Sequence, residues 1–198
     1  MNFRTMGSVA RTTMAAAVLF ASSTITLAQA ATQVKFATSA GDFVVELYPD
    51  KAPKTVENFL QYVKDKHYNG TIFHRVINNF MIQGGGFDTG YQQKPTRPPV
   101  LHEGRQALEK GLRNVTGTLA MARTNDPQSA TAQFFINVKD NAFLDPSTQA
   151  FGYTVFGKVV SGMDVIDTIK ATPTGPGGPF GSDVPKNPIL INSATLVK

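Results

Sequence analysis

Cysteine and tryptophan are both missing from this chain of 198 residues. Without cysteine there is no disulfide framework, so stability must come from a packed core. The same absence excludes thiol catalysis and thiolate metal sites. Histidine is scarce: His67, His74 and His102 are far apart, and none has a ligand-like spacing to another His or an Asp. No metal or other cofactor is therefore expected. A G-x-S-x-G nucleophile elbow is also lacking, which argues against a serine hydrolase of that type. GGG at 84–86 is followed by neither Gly-Lys-Ser/Thr nor a helix signal, so it reads as a tight turn or a close backbone approach rather than a phosphate loop.

What is present begins with a leader. Arg4 and Arg11 form a positive n-region, MAAAVLFA (14–21) opens an apolar stretch, and Ala28-Gln29-Ala30 supplies a small-x-small cleavage site. This is the layout of a secretory signal peptide over residues 1–30. The apolar run is short of the ~20 residues needed to span a bilayer, so no stable membrane insertion is expected. Residues 31–198 are expected to form a single domain that is exported once the leader is cleaved. Removing Arg4 and Arg11 lowers the formal charge from +5 to +3, too little for a nucleic-acid footprint.

In the mature chain, VKFATSAGDFVVELYP (34–49) predicts two strands joined by a turn at Ser39–Asp42. PKTVENFLQYVKDK (53–66) changes period. Val56, Phe59, Leu60 and Val63 form one apolar helical face, with Pro53 tolerated in the first turn. Short segments rich in β-branched and aromatic residues follow, and SGMDVIDTIK (161–170) predicts a second helix with Ser161 as its cap. TPTGPGGPFGSDVPKNP (172–188) reads as a surface loop before the last strand. With about eight strands, two helices and no βαβ rhythm, the fold class is mainly β: a barrel or sandwich with helices over its openings.

The stretch FHRVINNFMIQGGG (73–86) carries an arginine and a glutamine among apolar residues. Period two puts Arg75 on one face with Phe73 and Ile77, and His74 on the opposite face. Met81 and Gln83 share a face of the next strand, as do Gln133 and Phe135 in AQFFINV. An arginine buried unpaired would cost several kcal/mol, so Arg75 must find acceptors. Pattern alone leaves open whether it sits at a rim, pairs with an acid, or serves a site.

FHRVINNFMIQGGGF, GTLAMART, SATAQFFINV, NAFLD and VFGKVVSGMDVID together resemble the cyclophilin family of peptidyl-prolyl cis–trans isomerases, in its exported bacterial form, over about Val34–Val197. The resemblance implies a closed eight-stranded antiparallel barrel capped by two helices. It implies a catalytic role for Arg75 and an orienting role for Gln83. Phe80, Met81, Phe135 and Leu144 would form the proline pocket. Ala122 and Arg123 would offer backbone groups to the residues preceding proline, and Gln133 would support Arg75 and the backbone around it. The implied partners are proline-containing unfolded or nascent exported polypeptides, met by a monomer. The alternative is a chaperone-like binding module using the same groove, although a holdase would not need the arginine. Three positions depart from the family's usual pattern: Phe143 stands for a frequent Trp, Tyr153 for a frequent His, and Arg123 for a frequent Asn. Phe143 lacks an indole N–H, so cyclosporin-type inhibitors are expected to bind only weakly.

Overall fold

The computed structural model describes residues 1–2 and 32–197, so nearly all of the expected leader lies outside the described residues. The chain first folds back on itself. Strands β1 (Thr32–Thr38) and β2 (Gly41–Leu47) pair along their whole length, from Thr32↔Leu47 to Thr38↔Gly41. The turn between them is pinned by Thr38, whose Oγ1 donates to the Gly41 carbonyl (2.6 Å) and accepts the Ala40 N–H (3.1 Å). Alternation then behaves as the sequence suggests: Phe43, Val45 and Leu47 are buried, while Val44 and Glu46 are only partly so.

Helix α1 (Pro53–Lys64) follows, then β3 (Thr71–Ile77), β4 (Met81–Asp88), a six-residue α2 (Gly104–Glu109), β5 (Thr118–Met121) and β6 (Phe134–Asn137). A 3-10 turn at Ala142–Leu144, β7 (Val155–Ser161), α3 (Met163–Lys170), β8 (Thr174–Gly177), β9 (Phe180–Pro185) and β10 (Leu190–Leu196) complete the order. Eight strands close into an antiparallel barrel in the order β1-β10-β3-β4-β6-β5-β7-β2. Closure satisfies every strand edge within the sheet, which removes the aggregation hazard of an open one.

The interior is aromatic. Phe36, Phe43, Tyr68, Phe134 and Phe156 are fully buried, and Phe59 of α1 joins them with rings 5.1 Å from Tyr68 and 5.1 Å from Phe156. This is why α1 forms where it does: its buried face, Val56, Phe59, Tyr62 and Val63, covers the cluster. Leu60, expected on that face, is only half-buried. The N-terminus of α1 has no side-chain cap of its own. Glu103 supplies one from a distance, accepting the Lys54 N–H (3.1 Å) and the Thr55 N–H (2.7 Å). Such a carboxylate satisfies orphan helix donors and meets the positive end of the helix dipole.

Three expectations change. A third helix, α2, appears where GRQALE offers too few apolar positions to show a face. Ser161 ends β7 instead of capping α3, whose N-cap is Gly162 at φ +82°. A Cβ there would lie 2.6 Å from the Asp42 carbonyl, so only glycine allows this close approach. The segment read as a surface loop contains the hairpin β8–β9, with Thr174 opposite Pro185 and Gly177 opposite Phe180. Its glycines let it lie against Tyr91: a Cβ on Gly178 would sit 2.4 Å from that ring.

Candidate active site

Residues from three neighbouring strands line up across the outside of the barrel. Arg75 of β3 is opposite Gln83 of β4, and Gln83 is opposite Phe135 of β6. The row exists because β3 is bulged. Phe73 pairs with Gly84 and Arg75 with Gln83, so two steps on β3 match one on β4. A bulge of this kind breaks the two-residue period and re-aims side chains.

The bulge corrects the face assignments. Phe73, expected beside Arg75, is fully buried in the barrel with its ring edge-on to Phe134. Arg75 points outward with its side chain 44% exposed. His74, expected on the opposite face, lines the same cleft as Arg75. It is itself buried, between Phe87 (ring centroids 4.7 Å apart) and Phe180 of the β8–β9 hairpin (5.4 Å).

Near the row lie the residues expected to form the apolar cup. Met81, Phe135 and Leu144 are buried, Phe80 is half-buried, and Tyr153 stands edge-on to Phe135 at 5.4 Å. Phe143 forms the rim: it is 73% exposed and stacks on Phe80 at 5.7 Å. A buried amide network that the sequence reading missed holds the cup together. Asn141 Nδ2 donates to the Phe80 carbonyl (2.9 Å) and to Asn137 Oδ1 (2.8 Å). Asn137 Nδ2 donates to Asn114 Oδ1 (3.2 Å), and Asn114 Nδ2 to Asp145 Oδ1 (2.9 Å). Four residues scattered from 114 to 145 thus tie β6 to the turn carrying Phe143 and Leu144. Asn137, Asn141 and Asp145 fall within the motifs SATAQFFINV and NAFLD, but nothing local to them shows that they pair through Asn114.

Gln133 also differs from its implied role. Its Oε1 accepts from Gln83 Nε2 at 3.0 Å, and among the described residues it makes no hydrogen bond to Arg75. Gly86 makes room for it, since a Cβ there would lie 2.5 Å from Gln133 Cγ. The third glycine of GGG is therefore a space left for the glutamine. The Ala122 N–H donates to the Gln133 carbonyl (3.0 Å), which secures the backbone beside the cup. Arg123 lies over the Tyr153 ring, with Cζ 4.6 Å from its centroid.

Asp183 is a second residue the sequence reading missed. The β8–β9 hairpin places its carboxylate 4.0 Å from Arg75 Nε, leaving the terminal nitrogens of the guanidinium unengaged by it. A cleft of about 470 Å³ runs past Arg75, Gln83, Ala122, Arg123 and Gln133. A larger apolar groove, about 710 Å³, lies between α1 and β10, and neither Arg75 nor Gln83 lines it. The smaller cleft is the one that contains Arg75 and Gln83.

Burial, followed by the Arg75 charge and partly offset by the Ile72 backbone, pushes His74 down to about 4. Burial likewise lowers His67 and His102. An unfolded histidine titrates near 6.5, so between about pH 6.5 and 4 the unfolded chain binds the extra proton. Stability should therefore be unaffected by His74 above pH 6.5 and fall as pH drops toward 4, by up to roughly 3 kcal/mol. Urea midpoints at pH 7 and pH 4.5 check this. His74→Phe should lose less stability than the wild type across that interval, and equal losses would contradict the assignment.

Arg75, Gln83 and Phe135 aligned on three neighbouring strands of a closed eight-stranded antiparallel barrel are the arrangement expected of a cyclophilin-like isomerase. A family model described as "Cyclophilin type peptidyl-prolyl cis-trans isomerase/CLD" matches residues 33–196. The chain belongs to this cyclophilin family and is a peptidyl-prolyl cis–trans isomerase. It is 55% identical over 166 residues to peptidyl-prolyl cis-trans isomerase B of Escherichia coli, covering 82% of this chain and 98% of that one. It is 53% identical over 171 residues to peptidyl-prolyl cis-trans isomerase A of Dickeya dadantii, covering 86% and 87%. Among solved structures it is similar to a Cryptosporidium parvum cyclophilin in the presence of the dipeptide Ala-Pro. That likeness has a TM-score of 0.64 at 25% identity and covers 84% of this chain and 99% of the other.

Proposed function

We propose that Arg75 is the catalytic residue of this isomerase and that the enzyme acts on X-Pro bonds of exported polypeptides in the periplasm. The observation that supports the first part is the Arg75–Gln83–Phe135 row beside the cup.

Rotation about a peptide bond faces a barrier of about 18–20 kcal/mol, set by amide resonance. At X-Pro the two isomers are close in energy, so the change is slow without being uphill. In the twisted transition state the proline nitrogen loses conjugation and regains a lone pair. A donor held near it binds that state better than the planar amide, which is catalysis by differential binding. Arg75 suits this because guanidinium is always charged and presents several donors in a rigid fork. Phe80, Met81, Phe135 and Leu144 grip the ring and exclude water, and Gln83, held by Gln133, steadies the carbonyl side. Such a cup strengthens every fixed dipole that faces it. Ala122 and Arg123 offer backbone groups to the residues before proline. The Ala-Pro dipeptide named for the Cryptosporidium structure is the kind of ligand this cup would take.

Export rests on the leader: its basic n-region, apolar stretch and Ala28-Gln29-Ala30. The clients would then be unfolded or nascent chains in transit, whose folding the monomeric enzyme assists. The test combines fractionation with exchange NMR. The processed chain should appear in the periplasmic fraction and accelerate cis–trans exchange of an X-Pro peptide there. Retention of the unprocessed chain in the cytoplasm would refute the export half.

Cyclosporin-type inhibitors are expected to bind weakly, because the exposed rim carries Phe143, which has no N–H to donate. Phe143→Trp should tighten inhibitor binding about tenfold, the order of one hydrogen bond. Unchanged inhibitor affinity by titration calorimetry would sink the idea.

A further inference from the structure

The cleft that holds Gln83 is lined by two arginines, Arg75 and Arg123, and by polar neutral groups that include Gln93 and Thr124. No aspartate or glutamate lines it. The two cations are not equivalent. Asp183 stands 4.0 Å from Arg75 and partly offsets its charge. Arg123 has no carboxylate within ion-pair distance among the described residues.

All of Arg123's partners are neutral. Nε and Nη2 donate to the Gly152 carbonyl (3.1 and 2.9 Å), and Nη1 to the carbonyls of Thr124 (2.8 Å) and Asn125 (3.4 Å). The Tyr153 ring covers one face of the guanidinium. The acid next along the chain, Asp126, is turned into its own loop, where Oδ1 accepts the Gln128 N–H at 2.8 Å. The group is thus fixed in place and partly buried, with a full positive charge and no counter-charge. A carboxylate reaching it would meet a cation already ordered, so little side-chain entropy is lost on pairing. Partial burial also makes the attraction stronger than on open surface.

We infer that Arg123 is a specificity-determining residue that makes this isomerase favour X-Pro segments carrying an acidic side chain at one of the two positions before proline. The inference rests on the proposed reading of the groove, in which the backbone of Ala122 and Arg123 meets those same positions. It concerns the side chain of Arg123, where that reading uses only its backbone.

The experiment measures kcat/KM by exchange NMR on peptides identical but for Glu, Gln or Lys at each of those two positions in turn. At one position Glu should be favoured over Lys by about fivefold in low salt, the upper range for a solvent-accessible ion pair. The preference should shrink toward parity at about 0.5 M salt, where the screening length falls to a few ångströms. Arg123→Lys keeps the charge and should keep the preference; Arg123→Gln should abolish it. A merely structural role for Arg123 predicts that Arg123→Gln slows every peptide equally with the Glu-to-Lys ratio unmoved, which overturns the inference. Equal rates for Glu and Lys in the wild type overturn it as well, even if Arg123→Gln does not fold. Failure of the underlying reading is distinguishable, because turnover would then survive in Arg75→Ala.

Discussion

Arg75→Ala should lower kcat/KM for an X-Pro peptide by roughly one to two orders of magnitude, the size of a charge-assisted hydrogen bond present only in the transition state. The fold should persist. Arg75 projects from the barrel, and its ion pair with Asp183, at 4.0 Å, joins two partly exposed groups. Exposed pairs of this kind contribute about 0–1 kcal/mol, so the unfolding midpoint should barely move. Arg75→Lys should also lose much of the activity, since a flexible point charge does not reproduce a planar fork of donors. The residual activity matters too. A 10⁴-fold acceleration would need roughly 5.4 kcal/mol, more than one hydrogen bond supplies. The cup and the Gln83–Gln133 pair must carry the rest, and Arg75→Ala should stay measurably above the uncatalysed rate. Near-normal exchange in Arg75→Ala, with circular dichroism unchanged, would remove Arg75 from the mechanism.

Phe134→Ala should be the most damaging single truncation for stability, at about 3–5 kcal/mol. Its ring is fully buried and lies 5.5 Å from Phe36, 5.8 Å from Phe59, 5.5 Å from Tyr68 and 6.3 Å from Phe73. It therefore joins β1, α1, β3 and β6 at one point. The glycine at 85, with φ +83°, packs directly on it: a Cβ there would lie 3.0 Å from the ring. Neighbours this rigid cannot collapse into the space left behind, so a cavity term adds to the lost transfer energy. For a domain of this size the melting temperature should fall by roughly 10 °C. Phe134→Leu, which leaves a smaller void, should cost about half as much. Urea denaturation of the three proteins checks the ranking. A loss below 1 kcal/mol for Phe134→Ala would mean that the cluster is not the keystone its geometry describes.

How much of this was legible beforehand depends on whether the signal was local. The helical faces of 53–66 and 161–170 were, because a 3.6-residue period is written within one turn or two. The β1–β2 hairpin was legible for the same reason. The burial of His74, the partner of Gln133 and the reach of Asp183 were not. Their positions follow from a bulge in β3, a gap at Gly86 and a hairpin made of glycines and prolines. Each depends on what a distant segment does. The density of Gly and Pro in 172–188 correctly marked turns and missed the pairing between them, which needed Tyr91 as a surface for Phe180 and Gly178 to pack against.

By itself the sequence determined a cysteine-free chain whose core must be aromatic and aliphatic, a mainly β architecture, and a motif set that places Arg75, Gln83 and Phe135 in one family's site. Period and composition suffice for the first two, since they are properties of neighbouring residues, while the third rests on the motifs' resemblance to the cyclophilin family. Only the tertiary structure decided that Phe73 turns inward while His74 and Arg75 share a cleft, that Gln133 holds Gln83, and that Asp183 reaches Arg75 from a hairpin more than a hundred residues away. The reason is that barrel closure sets register between strands. Register, once a bulge shifts it, decides which face each side chain takes.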